Sequence, residues 1–70
     1  MYTLTIQTKF TFGDRVKFES DAQQQKGEGR VFAITVDAHR LIDYIIEIDK
    51  GAYHDLQPGI LESEMTLLAD

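Results

Sequence analysis

Between Leu41 and Asp49 the chain reads Leu-Ile-Asp-Tyr-Ile-Ile-Glu-Ile-Asp, and this run limits what the rest can fold into. Extended, it puts Ile42, Tyr44, Ile46 and Ile48 on one face and Asp43, Ile45, Glu47 and Asp49 on the other. Isoleucines at this density disfavour a helix, because β-branched side chains lose rotamer freedom there and pack well on a pleated surface. The run is a strand, and a strand needs partners.

The partners are written in the same period-two code. Arg15-Val16-Lys17-Phe18-Glu19 alternates charge with apolar bulk, and Tyr2, Leu4 and Ile6 alternate with Thr3, Thr5 and Gln7. Phe10 and Phe12 carry that alternation on to the turn pair Gly13-Asp14. From Arg30 to Val36 the chain is β-rich and apolar on both faces, as in a strand in the middle of a small barrel or one covered by a partner. Ser20 to Gly29 reads as a solvated loop, and Asp37-Ala38-His39-Arg40 is short enough for a hairpin connection. Asp49-Lys50-Gly51 reads as a compact turn, and Ala52 to Leu56 as the strand returning from it. Pro58 is expected to stop that strand. Leu61 to Glu64 then makes a single helical or 3₁₀ turn, and Met65 to Leu68 a short closing strand.

This order resembles the SH3-like small barrels, including KOW and Tudor modules, over residues 10–68. The resemblance rests on Phe12-Gly13-Asp14-Arg15-Val16, on Gly27-Glu28-Gly29-Arg30-Val31 and on the turn at Ile48-Asp49-Lys50-Gly51. The expected fold is therefore all-β: one domain over 1–70, a barrel of about five strands at 10–68, and an extra N-terminal strand at 1–9. One 3₁₀ turn precedes the last strand. A narrower resemblance links Phe12 to Lys17 with the opening strand of the plasmid-type dihydrofolate reductases. That family's Val-Gln-Ile-Tyr run is replaced here by Leu56-Gln57-Pro58-Gly59, so its activity is not carried over.

Seventy residues with 43% hydrophobic content make one small domain. Such a chain buries only about 60% of its unfolded surface, which leaves little for a deep pocket. The chain has no cysteine, which removes disulfides and thiolate metal sites and favours the cytoplasm. No apolar run reaches the roughly 20 residues that span a bilayer, and the alternating start has no basic region of a signal peptide, so no membrane partner is expected. The net charge is −5, against a general affinity for phosphate backbones. It is unevenly spread, with six bases facing five acids in residues 1–40 and one base facing seven acids in residues 41–70.

Candidate chemistry is sparse. Gly27 and Gly29 lead into a strand rather than a helix, so they suit a strand-entry turn better than a phosphate loop. His39 and His54 are the two imidazoles, too few for a zinc site. The serines are only two, Ser20 and Ser63, Ser63 lies in an acidic stretch without a base at a useful position, and Glu62 with Glu64 reads as a solvated turn. No catalytic residue, metal or cofactor is assigned. The candidate binding residues are Arg15, Lys17 and Arg30, as a local basic face, together with Tyr44 and Tyr53, whose polar ends suit a half-exposed surface. The expected role is a protein-interaction module whose partners include a second copy of itself, as a homodimer. A nucleic-acid-binding module of KOW or Tudor type is the alternative.

Overall fold

A computed structural model of the chain describes residues 3–50 and 53–68. Its five strands are β1 (Arg15–Ser20), β2 (Gln25–Val36), β3 (Ile42–Lys50), β4 (Tyr53–Leu61) and β5 (Met65–Leu67). A 3₁₀ turn, Glu62–Glu64, separates the last two. All pairings are antiparallel, in the order β4-β3-β2-β1-β5. The sheet therefore has β4 and β5 at its edges, and no ladder joins them among the described residues.

The alternation read from the sequence is the alternation of burial. Val16, Phe18 and Ser20 of β1 point inward while Arg15, Lys17 and Glu19 point out. Across the sheet the core collects Phe10, Val16, Phe18, Val31, Tyr44, Ile46, Ile60 and Met65, with Ile34, Ile42 and Ile48 packed against it. Fully buried aliphatic and aromatic side chains stabilise a fold by about 1.5–3 kcal/mol each, so these residues dominate its energetics.

Two glycines sit inside β2. Gly27 and Gly29 lie opposite Phe18 and Val16, and where Gly29 crosses β3 there is no room for a side chain. They are interior residues of β2, not a turn at its entry. The expected loop from Ser20 to Gly29 is accordingly a hairpin, closed by the four residues between Ser20 and Gln25. Cross-strand pairing explains the difference, because Lys26 and Glu28 meet Glu19 and Lys17 across the ladder.

Pro58 does not end β4 either. The strand continues through it to Leu61. A register shift between Tyr44 and Ile46 of β3 places Pro58 and Gly59 in a bulge, and β4 is an edge strand. A missing N–H is tolerated in both settings. Gly59 takes φ +77°, and the Gln23 side chain packs against it. The β1–β2 turn thus folds over onto β4. The connection at Asp37 is a tight turn, as expected, with Asp37 Oδ1 accepting from the N–H groups of His39 (2.8 Å) and Leu41 (3.0 Å).

The extra N-terminal strand is not formed within the chain. Residues 3–14 belong to no ladder, and residues 1 and 2 lie outside the described residues. β1, which this segment leads into, already has β2 on one side and β5 on the other. Phe10 instead plugs the core, its ring meeting that of Tyr44 edge-on at 5.7 Å and 82°.

Candidate interaction surface

The three bases of the expected basic face do meet on the outside of the β1–β2 hairpin. Arg15 lies directly opposite Arg30, and Lys17 directly opposite Glu28. Acids are interleaved with them. Arg15 reaches Glu28 diagonally at 3.7 Å, with both side chains about half exposed (50% and 54%). Arg30 donates to the Gly13 carbonyl at 2.8 Å and has Glu47 opposite it on β3. These contacts relieve the repulsion of two like charges placed face to face. The shallow open depression over the hairpin is lined by Lys17, Phe18, Glu19, Lys26, Gly27 and Glu28, so its charges alternate as well. An exposed pair of this kind contributes little. Replacing Glu28 by Gln is expected to change stability by less than about 0.5 kcal/mol, measurable by urea denaturation; a larger loss would show that the pair organises the hairpin.

Tyr44 is not a surface residue. It is fully buried, because the inward face of β3 that carries Ile46 carries it too. Its hydroxyl donates to Glu62 Oε2, and the same oxygen accepts from the Lys9 backbone N–H at 2.8 Å. Burial, and then the bond to Glu62, push the Tyr44 hydroxyl up to about 12. The Lys9 N–H, and then the Tyr44 hydroxyl, hold the Glu62 carboxyl below its ordinary range. One carboxylate of the 3₁₀ turn thereby fastens β3 to the segment leading into β1. Tyr53 opens β4 opposite Lys50 in the ladder, and its side chain lies outside the described residues.

The more distinctive surface lies on the other half of the sheet. Tyr44 and Ile46 face inward, so Asp43, Ile45 and Glu47 face outward. Leu61 and Leu56 are the register partners of Asp43 and Glu47 and share that outer face. On β2 the register shifts between Val31 and Ala33, which leaves Phe32 as the bulged residue, and it is half exposed. Phe32, Ile45, Leu56 and Leu61 form an apolar band across three strands, with Asp43, Glu47 and Arg30 around it. Two clues to this band were legible in the sequence: the two-faced apolar run at Arg30–Val36, and Ile45 on the charged face of β3. The bulge itself cannot be read from alternation alone. Phe12, on the turn beside β2, is likewise exposed. Among the described residues no group of three or more His, Asp or Glu side chains is placed to hold a metal ion.

Sheet order, strand count and the 3₁₀ turn define a small all-β domain of five antiparallel strands. No family model, curated protein or solved structure matches the chain.

Proposed function

We propose that this chain is a non-catalytic protein-interaction module, curled as an SH3-like small barrel, whose outer β2–β3–β4 face receives an extended, apolar, acid-free protein segment. The barrel reading is supported by the strand order β4-β3-β2-β1-β5, by the 3₁₀ turn before β5 and by the packing of Gln23 onto Gly59 of β4. The binding reading is carried by the exposed band of Phe32, Leu56 and Leu61, at 51%, 49% and 43% exposure. Apolar side chains aligned in register on neighbouring strands and rimmed by charge are the usual anatomy of a protein-binding patch. Asp43 and Glu47 on that rim disfavour an acidic partner. The same two carboxylates weigh against nucleic acid on this face, and the bases of the β1–β2 hairpin are compensated by Glu19, Glu28 and Glu47. The cysteine-free composition is consistent with a reducing, cytoplasmic setting.

The test is selection from a displayed library of random linear peptides on the full-length chain, immobilised sparsely enough that copies do not meet. Peptides with alternating apolar residues and few acids should be enriched, and lost on a Leu56→Asp, Leu61→Asp double variant that still folds. Equal enrichment on both proteins, or saturable binding of a single-stranded RNA oligonucleotide at physiological salt with no peptide enrichment, would overturn the proposal.

A further inference from the structure

The segment Thr3–Thr8 has strand chemistry and no strand. Its residues alternate Leu4 and Ile6 with Thr3, Thr5 and Gln7, and Leu4 and Ile6 are 62% and 38% exposed. An exposed β-patterned segment with no ladder leaves its backbone to water, and an open sheet edge is a ready template for it. We infer that a second copy of the chain supplies that edge: Thr3–Thr8 adds antiparallel along the outer side of β4, over Tyr53–Gln57, and lays Leu4 and Ile6 on the outer face beside Leu56. This rests on the reading of the β2–β3–β4 side as a protein-binding surface and names the strand that joins it, at its β4 edge.

Length, chemistry and direction select β4. Among the described residues two edges are open, and β5 is only three residues long whereas β4 is nine. The donor row of β4 is interrupted at Pro58, which leaves the five residues before it to face the six of the segment. In a strand the two apolar residues share one face. Placed on the Leu56 side they extend the exposed apolar band by one strand. Asp43 and Glu47 border that band and would repel an acidic strand, and Thr3–Thr8 carries no charge at all. Within one chain the same pairing would have to be parallel. Lys9 is held at Glu62, just past the end of β4, so segment and strand both run toward that point. Parallel ladders are the less stable kind. Between two copies the antiparallel sense is free, and reciprocal donation closes a two-fold dimer without leaving either segment unpaired.

Two measurements decide it. Light scattering over a concentration series should give a dimer for the full chain and a folded monomer for the chain lacking residues 1–7, which keeps Lys9 and Phe10. The chain has no cysteine, so an Ile6→Cys, Leu56→Cys variant reports the contact without background. On oxidation it should give a species of twice the mass, which neither single variant gives. A monomeric full chain, a dimer that survives the truncation, or a disulfide within one chain would each overturn the inference. The peptide selection does not depend on the segment, so peptides captured by a monomeric chain would remove this inference and leave the functional reading standing.

Discussion

Gly29→Ala should cost about 3 kcal/mol or more, a large share of the roughly 4–10 kcal/mol expected for a domain of this length. A Cβ at Gly29 would lie 2.3 Å from the Glu47 carbonyl oxygen and 2.8 Å from Ile46 Cγ2. The oxygen belongs to the backbone of β3, which is paired on both sides, to Arg30 and to Leu56. It cannot withdraw without pulling on two ladders. Overpacking against backbone is therefore not relieved by a rotamer change. The melting temperature should fall by more than about 10 °C, given roughly 4–8 °C per kcal/mol at this size. Gly27→Ala is the control. There the added Cβ would sit 3.6 Å from the Phe18 ring, an ordinary contact, and the change should stay within about 1 kcal/mol. Thermal unfolding of both variants checks the pair. Equal effects would mean that the close approach of β2 to β3 is not what demands glycine.

The second large effect concerns Glu62. Glu62→Gln should destabilise the fold at neutral pH by about 1–2 kcal/mol, because two donors lose a charged acceptor while a neutral one remains. Its pH signature is more diagnostic than its size. The Glu62 carboxyl is held below its ordinary value of 4.5 in the folded chain. The stability it contributes is thus fully present above that value and is lost as pH falls through the lowered one. The Gln variant lacks this titration, so the two stability curves should converge on acidification. At the alkaline end the sign reverses. Tyr44 is raised from 10.0 to about 12, so folding favours its neutral form. That contribution is intact below 10 and disappears as pH rises toward 12. Tyr44→Phe should remove this alkaline component. Urea denaturation across pH on wild type and both variants tests both ends. Parallel curves at low pH would sink the role given to Glu62.

The contact of Tyr44 with Glu62 depends on a partner distant in the chain, which local alternation does not reveal. Val16, Phe18, Ile46 and Tyr44 announce their strand faces by alternation, and burial follows it closely. By sequence alone Tyr44 nevertheless belongs on a half-exposed surface. Its polar end suggested water, whereas the fold supplies a carboxylate from the 3₁₀ turn, eighteen residues away in the chain. The basic face was half legible. Arg15 and Lys17 share a side of one strand by local geometry, but Arg30 joins them, and Glu28 and Glu47 neutralise them, only through register. The apolar band depends on register still more. Phe32 faces outward next to inward Val31, the bulge there turns Ile34 rather than Ala33 toward the core, and Leu56 and Leu61 share a face because β4 carries a second bulge between them.

What this chain determines by its sequence alone is local: period-two burial, β-branched and aromatic strands, a turn at Asp37 and a break before Met65. Those follow from steric and rotamer preferences within a few residues. Tertiary structure decided the rest, because ladder partners and close approaches are relations between distant segments. It left the segment Thr3–Thr8 without a ladder, and gave both sides of β1 to β2 and β5. It made Gly29 irreplaceable, since β3 crosses where a side chain would stand.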